Sequence, residues 1–101
     1  MNNPYKILLD TFGKDVQFRF AIEEMSELTK AICKYQRKID TCNNEEQQKL
    51  ADAIREEIAD VLITAEQLAF MFGEDDVKKI KHIKLERALK RAEKKNNEEK
   101  L

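Results

Sequence analysis

Apolar residues recur at spacings of three and four along most of the chain, and polar breaks divide that pattern into four helical segments. Pro4 opens the first, a short helix expected over residues 5–11 that turns Ile7, Leu8 and Leu9 inward, with Gly13 as its stop. The second, expected over 15–40, begins with Asp15 and carries Phe18, Ile22, Met25, Leu28, Ile32 and Tyr35 as one stripe. Asn44, followed three residues later by Gln47, resembles a capping box for a third helix over 45–72, which Gly73 ends. Beyond Ile58 this helix is apolar around most of its circumference, so it needs cover on more than one side. In so small a chain that implies a homo-oligomer, a dimer at least. Asp75 and Asp76 start a fourth helix over 75–94, with Val77, Ile80, Ile83, Leu85 and Leu89 as a weaker apolar set, ahead of a charged tail expected to fray.

Composition agrees with this pattern. Two Gly, one Pro and no Trp among 101 residues, with Glu, Lys, Leu and Ala abundant, give an all-α chain. The expected architecture is one antiparallel, four-helix bundle-like domain over residues 1–93, with 94–101 as its tail. Charged residues make up 39% of the chain yet leave a net charge of −1, which disfavours a nucleic-acid binder held by excess positive charge. Cys33 and Cys42 show no CxxC spacing and no leader-like segment precedes them, so free thiols and a cytoplasmic location are expected. The longest apolar run, near 61–72, is interrupted by Glu66 and Gln67 and is too short for a membrane span.

Local charge carries the candidate chemistry. Glu24 and Glu27 sit three positions apart on the second helix, as do Glu57 and Asp60 on the third, so each pair projects from one side of its helix. Both pairs border apolar stripes, where a carboxylate needs a compensating partner. Glu27 and Glu57 each lie 15 positions from Cys42 (42−27, 57−42), and Glu24 and Asp60 each lie 18 (42−24, 60−42). A hairpin centred on that turn brings the pairs to the same height, where four carboxylates require a cation. Oxygen ligands of this kind suit Mg²⁺, with Mn²⁺ a possible substitute.

A di-iron bundle needs Glu-x-x-His on two helices, and His82 is the only histidine, with Lys79 three residues before it. There is no Ser/His/Asp or Cys/His arrangement and no Gly-rich phosphate loop. Lys84, Arg87 and Arg91 form a basic stripe that is either a solvated face paired with Glu86 and Glu93 or a clamp on polyphosphate. Phe18, Phe20 and Tyr35 are either core or a stacking surface for a base, and Gln17 either bonds a base or faces water.

Glu23-Glu24-x-x-Glu27 followed by Glu57-x-x-Asp60, on the middle helices of a small four-helix chain, resembles the MazG-type all-α nucleoside triphosphate pyrophosphohydrolases. The likeness extends over roughly residues 12–91, and the two acidic motifs are its specific part. It implies a bundle that dimerises or forms dimers of dimers and hydrolyses nucleoside triphosphates to monophosphate and pyrophosphate. It implies Mg²⁺ held by Glu24, Glu27, Glu57 and Asp60, a catalytic role for Glu23 or Glu24, and phosphate neutralisation by Lys84, Arg87 and Arg91. Gln17 and Phe20 are its weaker base-binding candidates. The reading from another class is a non-catalytic helical dimer that serves as an interaction or regulatory module.

Overall fold

The computed structural model describes residues 2–100, and all four of its elements are helices: α1 Pro4–Phe12, α2 Lys14–Lys38, α3 Asn44–Phe72 and α4 Glu74–Glu99. The chain divides into two compact units, one ending at Phe70 and one starting at Met71. Each expected helix is present, with ends that shift by up to a few residues.

Asn3 caps α1 by accepting the Tyr5 N–H at 2.9 Å, and Pro4 takes the first-turn position where its missing N–H costs nothing. Gly13 then turns the chain with φ 86° and ψ 165°, a region essentially closed to residues with a Cβ. Its N–H closes α1 on the Leu9 carbonyl at 2.8 Å, and its carbonyl receives the Gln17 N–H.

The start of α3 corrects the sequence reading. Asn43, not Asn44, is the capping residue: its Oδ1 accepts the Glu46 N–H at 2.9 Å and its carbonyl accepts the Gln47 N–H at the same distance. Gln47 makes no capping box. Its amide instead donates back across the turn to the carbonyls of Ile39 and Cys42. A glutamine side chain long enough to reach the end of the preceding helix finds two acceptors there that lack helical partners. Cys33 and Cys42 are free thiols.

Three glutamine and tyrosine contacts hold α1 in the first unit. The Gln17 amide of α2 donates to the Leu8 carbonyl at 3.4 Å, the Gln67 amide of α3 donates to the Tyr5 carbonyl at 3.1 Å, and the Tyr5 hydroxyl donates to Glu66. These polar ties matter because α1 buries no residue fully. Among the described residues, Ala21 and Leu50 are the buried apolar ones and Gln17, Thr64 and Gln67 the buried polar ones. Ile22, Met25 and Ile32 of α2 and Ile58 and Leu62 of α3 remain exposed, so one chain does not cover the apolar circumference of α3.

In the second unit α4 runs to Glu99, beyond the expected end at Lys94. Residues 93–99 contain neither Gly nor Pro and are mostly good helix formers, and Lys95 pairs with Glu99 one turn on. None of its residues is buried. No helix among the described residues is long and apolar enough to cross a membrane.

Candidate metal centre

Folding α2 and α3 about the turn at 39–43 brings one carboxylate of α2 against two of α3. Ligand oxygens of Glu24, Glu57 and Asp60 all lie within 4.8 Å of one another. Glu24 and Glu57 are half-buried and Asp60 is exposed. None of the three forms an ion pair among the described residues, and Glu57 Oε2 is buried with no hydrogen-bond partner there.

That crowding raises the proton affinity of two of the groups. Partial loss of water lifts the Glu24 carboxyl above its ordinary value, and next the charge of Asp60, a hydrogen bond to it, and the charges of Glu57 and Glu23. Glu57 is raised first by partial burial, then by the charges of Asp60, Glu27 and Glu56. The fourth expected ligand, Glu27, stands outside the cluster. Its side chain is half exposed and Lys30 donates to it at 3.3 Å from the next turn of the same helix. It still acts on Glu57 through its charge. Glu23 is exposed, as its position about 100° around the helix from Glu24 dictates.

A cleft of about 260 Å³ opens beside the carboxylates. Glu24 and Asp60 lie at one part of its lining, Leu8, Phe12, Phe20 and Ile63 supply apolar walls, and Gln17, Thr64 and Gln67 supply buried polar groups. The sequence candidates Gln17 and Phe20 are therefore both cleft residues, although the Gln17 amide is engaged with the Leu8 carbonyl. Gln67 was not among the candidates. The signal for it was present, because Gln17 and Gln67 both lie 25 positions from Cys42 (42−17, 67−42) and extend the symmetry of the acidic pairs. Along α3, Asp60, Thr64 and Gln67 also follow the i, i+4, i+7 spacing of one face.

Phe18 is half-buried and Tyr35 likewise, and neither lines this cleft. Lys84, Arg87 and Arg91 are exposed on α4. His82 lies on the same helix, largely exposed, with its Nε2 at 3.1 Å from Glu86 one turn later. Glu86 therefore partners His82 and not the basic stripe.

No family model, curated protein or solved structure matches the chain. The carboxylate geometry has to be judged by its own chemistry. Ligands on opposite sides of an octahedral Mg²⁺ stand about 4.1 Å apart, twice the usual Mg–O distance. Adjacent ligands stand about 2.9 Å apart, so three oxygens within 4.8 Å of one another reach one ion after closing by up to about 2 Å, within the reach of side-chain rotation. An all-oxygen, all-carboxylate donor set fits a hard divalent cation, and the orphaned Glu57 Oε2 is a buried acceptor for which such an ion is a natural partner.

Proposed function

We propose that this chain is a Mg²⁺-dependent nucleoside triphosphate pyrophosphohydrolase built as a MazG-type four-helix bundle, converting a ribo- or deoxyribonucleoside triphosphate to its monophosphate and pyrophosphate. One observation carries the reading. Three carboxylates converge without a counter-charge, one with a buried and unpartnered oxygen, beside a cleft whose apolar walls and amide groups suit a nucleobase. Structural ion-pair networks pair such groups, whereas a cation site leaves them waiting for the ion.

Glu24, Glu57 and Asp60 would hold the cation, with Glu27 as a further source of negative charge. Bound there, Mg²⁺ supplies electrostatic stabilisation of the charge that builds on the triphosphate. The protein's own part is to accept a proton. A water adds to the α-phosphorus, the bond from that phosphorus to the bridging oxygen breaks, pyrophosphate leaves with the bond electrons, and the water's proton passes to a carboxylate. Glu23 and Glu24, the adjacent acidic residues of the α2 motif, are the candidates for that role. Phe12 and Phe20 would flank the base.

The uncovered apolar residues of α2 and α3 support the accompanying proposal of a homo-oligomer. The same residues also suit the second reading, a non-catalytic helical interaction module. Measuring pyrophosphate release from a panel of nucleoside triphosphates, with and without Mg²⁺, separates the two. The enzyme reading requires Mg²⁺-dependent release that Glu57→Gln reduces at least about a hundredfold. No release from any triphosphate, with wild type and variant alike, leaves the interaction module.

A further inference from the structure

From Gln67, a cleft-lining residue whose side-chain oxygen is buried and unpartnered, we infer that Gln67 reads the nucleobase, accepting a hydrogen bond from an N–H donor on the base edge. This deepens the nucleotide reading above and rests on it.

Gln67 is 2% exposed, the most buried of the described polar residues, and it lines the cleft. Its Nε2 donates to the Tyr5 carbonyl at 3.1 Å, and a carbonyl can only accept, so the orientation of the amide is fixed. Oε1 is thereby left as an acceptor, and it has no hydrogen-bond partner among the described residues. Leaving a buried amide oxygen unpaired is costly, and native folds retain few such groups, a functional site being one place where they do. Neighbouring side chains do not relieve it. The Gln17 amide is engaged with the Leu8 carbonyl, and Thr64 Oγ1 lies 3.0 Å from the Val61 carbonyl, to which it donates.

The ligand class follows from the surroundings. Phe12 and Phe20 offer aromatic walls, and the carboxylates at the same cleft place the cation and triphosphate beside it. A planar heterocycle between those walls presents its edge toward the amide. Oε1 has less than 1 Å² open to solvent, so the base reaches it by displacing a wall. Phe12, Ile63 and Phe20, 57%, 51% and 48% exposed, are the wall residues least held by packing. A base with an exocyclic amine or ring N–H completes the amide, and an otherwise identical base without that donor leaves Oε1 buried and unpaired. The site discriminates because of that difference.

The test compares binding, in the presence of Mg²⁺, of α,β-imido nucleoside triphosphates that resist cleavage. Each natural base is paired with an analogue lacking the donor: 6-deamino purine for adenine, 4-deamino pyrimidine for cytosine, 1-methylhypoxanthine (without either the N1–H or the 2-amino group) for guanine, and N3-methyl bases for uracil and thymine. In wild type the best-bound natural nucleotide exceeds its donor-less analogue by about tenfold or more. In Gln67→Met, a similar-sized side chain without hydrogen-bonding groups, the two bind within about twofold of each other. Equal binding of the pair by wild type overturns the inference, as does discrimination that survives in Gln67→Met. Circular dichroism checks that the variant folds, and if it does not, the wild-type comparison decides alone. Inorganic triphosphate with Mg²⁺ is the separate control. If it binds while no base pair is distinguished, this inference fails and the proposed function stands; if neither it nor any nucleotide binds, the nucleotide reading itself fails.

Discussion

Glu24 of α2 and Asp60 of α3, 36 positions apart in sequence (60−24), meet across the hairpin closely enough that a protonated Glu24 hydrogen-bonds to Asp60. With Glu57 beside them the native fold holds like charges together, and the unfolded chain does not. Removing one charge should therefore stabilise the cation-free protein. Glu57→Gln or Asp60→Asn is expected to raise the melting temperature by about 2–5 °C without Mg²⁺, since about 1 kcal/mol moves a domain of this size by 4–8 °C. With Mg²⁺ the order reverses. At a hundred times its dissociation constant, a ligand of the native state adds about 2.7 kcal/mol to wild type, and the variants should gain far less. Differential scanning calorimetry with and without Mg²⁺ measures both; equal melting of all three proteins in both conditions contradicts the metal centre.

The pH dependence of stability has a definite sign. Glu24 and Glu57 have native proton affinities raised above the ordinary value of 4.5, so the native state binds more protons than the unfolded state once pH exceeds that value. Stability of the cation-free protein should thus decline as pH rises from about 4.5 through the raised native values, then level off. Urea denaturation at a series of pH values reads the slope. Glu57→Gln should flatten it, and a stability that climbs over the same window because of these groups would refute the assignment.

Much of this site was legible in the sequence because a hairpin imposes simple arithmetic. Residues whose numbers are symmetric about Cys42 face one another, and that symmetry alone pairs Glu24 with Asp60. Glu27 shows the limit of that arithmetic. Glu57 and Asp60 have the same three-residue spacing and both join the cluster, whereas the Glu27 side chain is engaged by Lys30 at the next turn of its own helix. Gln67, and the burial of Gln17, escaped notice for a different reason. An isolated glutamine on a helix is ordinarily solvated, and these two are buried only because α1 docks its Tyr5 and Leu8 carbonyls upon them. Helical periodicity contains no information about such a long-range acceptor.

The turn between α2 and α3 offers a clean separation of two adjacent asparagines. Asn43 accepts the Glu46 N–H, and loss of such a cap typically costs about 1 kcal/mol. Asn43→Ala should therefore lower stability by about that amount. Asn44→Ala should change it by less than about 0.5 kcal/mol, because Asn44 is exposed and its side chain is not the cap. Chemical denaturation of the two variants side by side checks the assignment, and the opposite ranking would restore the capping box at Asn44.

Gly13 predicts a purely conformational cost. A Cβ built there meets nothing within 4 Å, so no packing is disturbed by alanine. Its φ of 86° and ψ of 165° nonetheless lie where only glycine is at ease. Gly13→Ala should destabilise by about 1–3 kcal/mol, with the backbone strain as the whole cause. Because Gly13 sets the direction of α1, which lines the cleft with Leu8 and Phe12, the same variant should weaken nucleotide binding along with stability. A variant as stable as wild type would show that α1 tolerates a different entry angle.

The exposed apolar residues test the proposed oligomer. Ile22 is 66% exposed and Leu62 55%, each on a helix that also supplies a carboxylate to the cluster. If a second copy covers them, Ile22→Lys or Leu62→Lys places a desolvated charge in the contact and should weaken self-association at least about tenfold. Sedimentation velocity should then show the wild type as a dimer or larger and the variants shifted toward monomer. On an uncovered surface the same substitutions cost within about 0.5 kcal/mol and leave the mass unchanged. A monomeric wild type would remove the second copy from the proposal and leave these side chains free for a different partner.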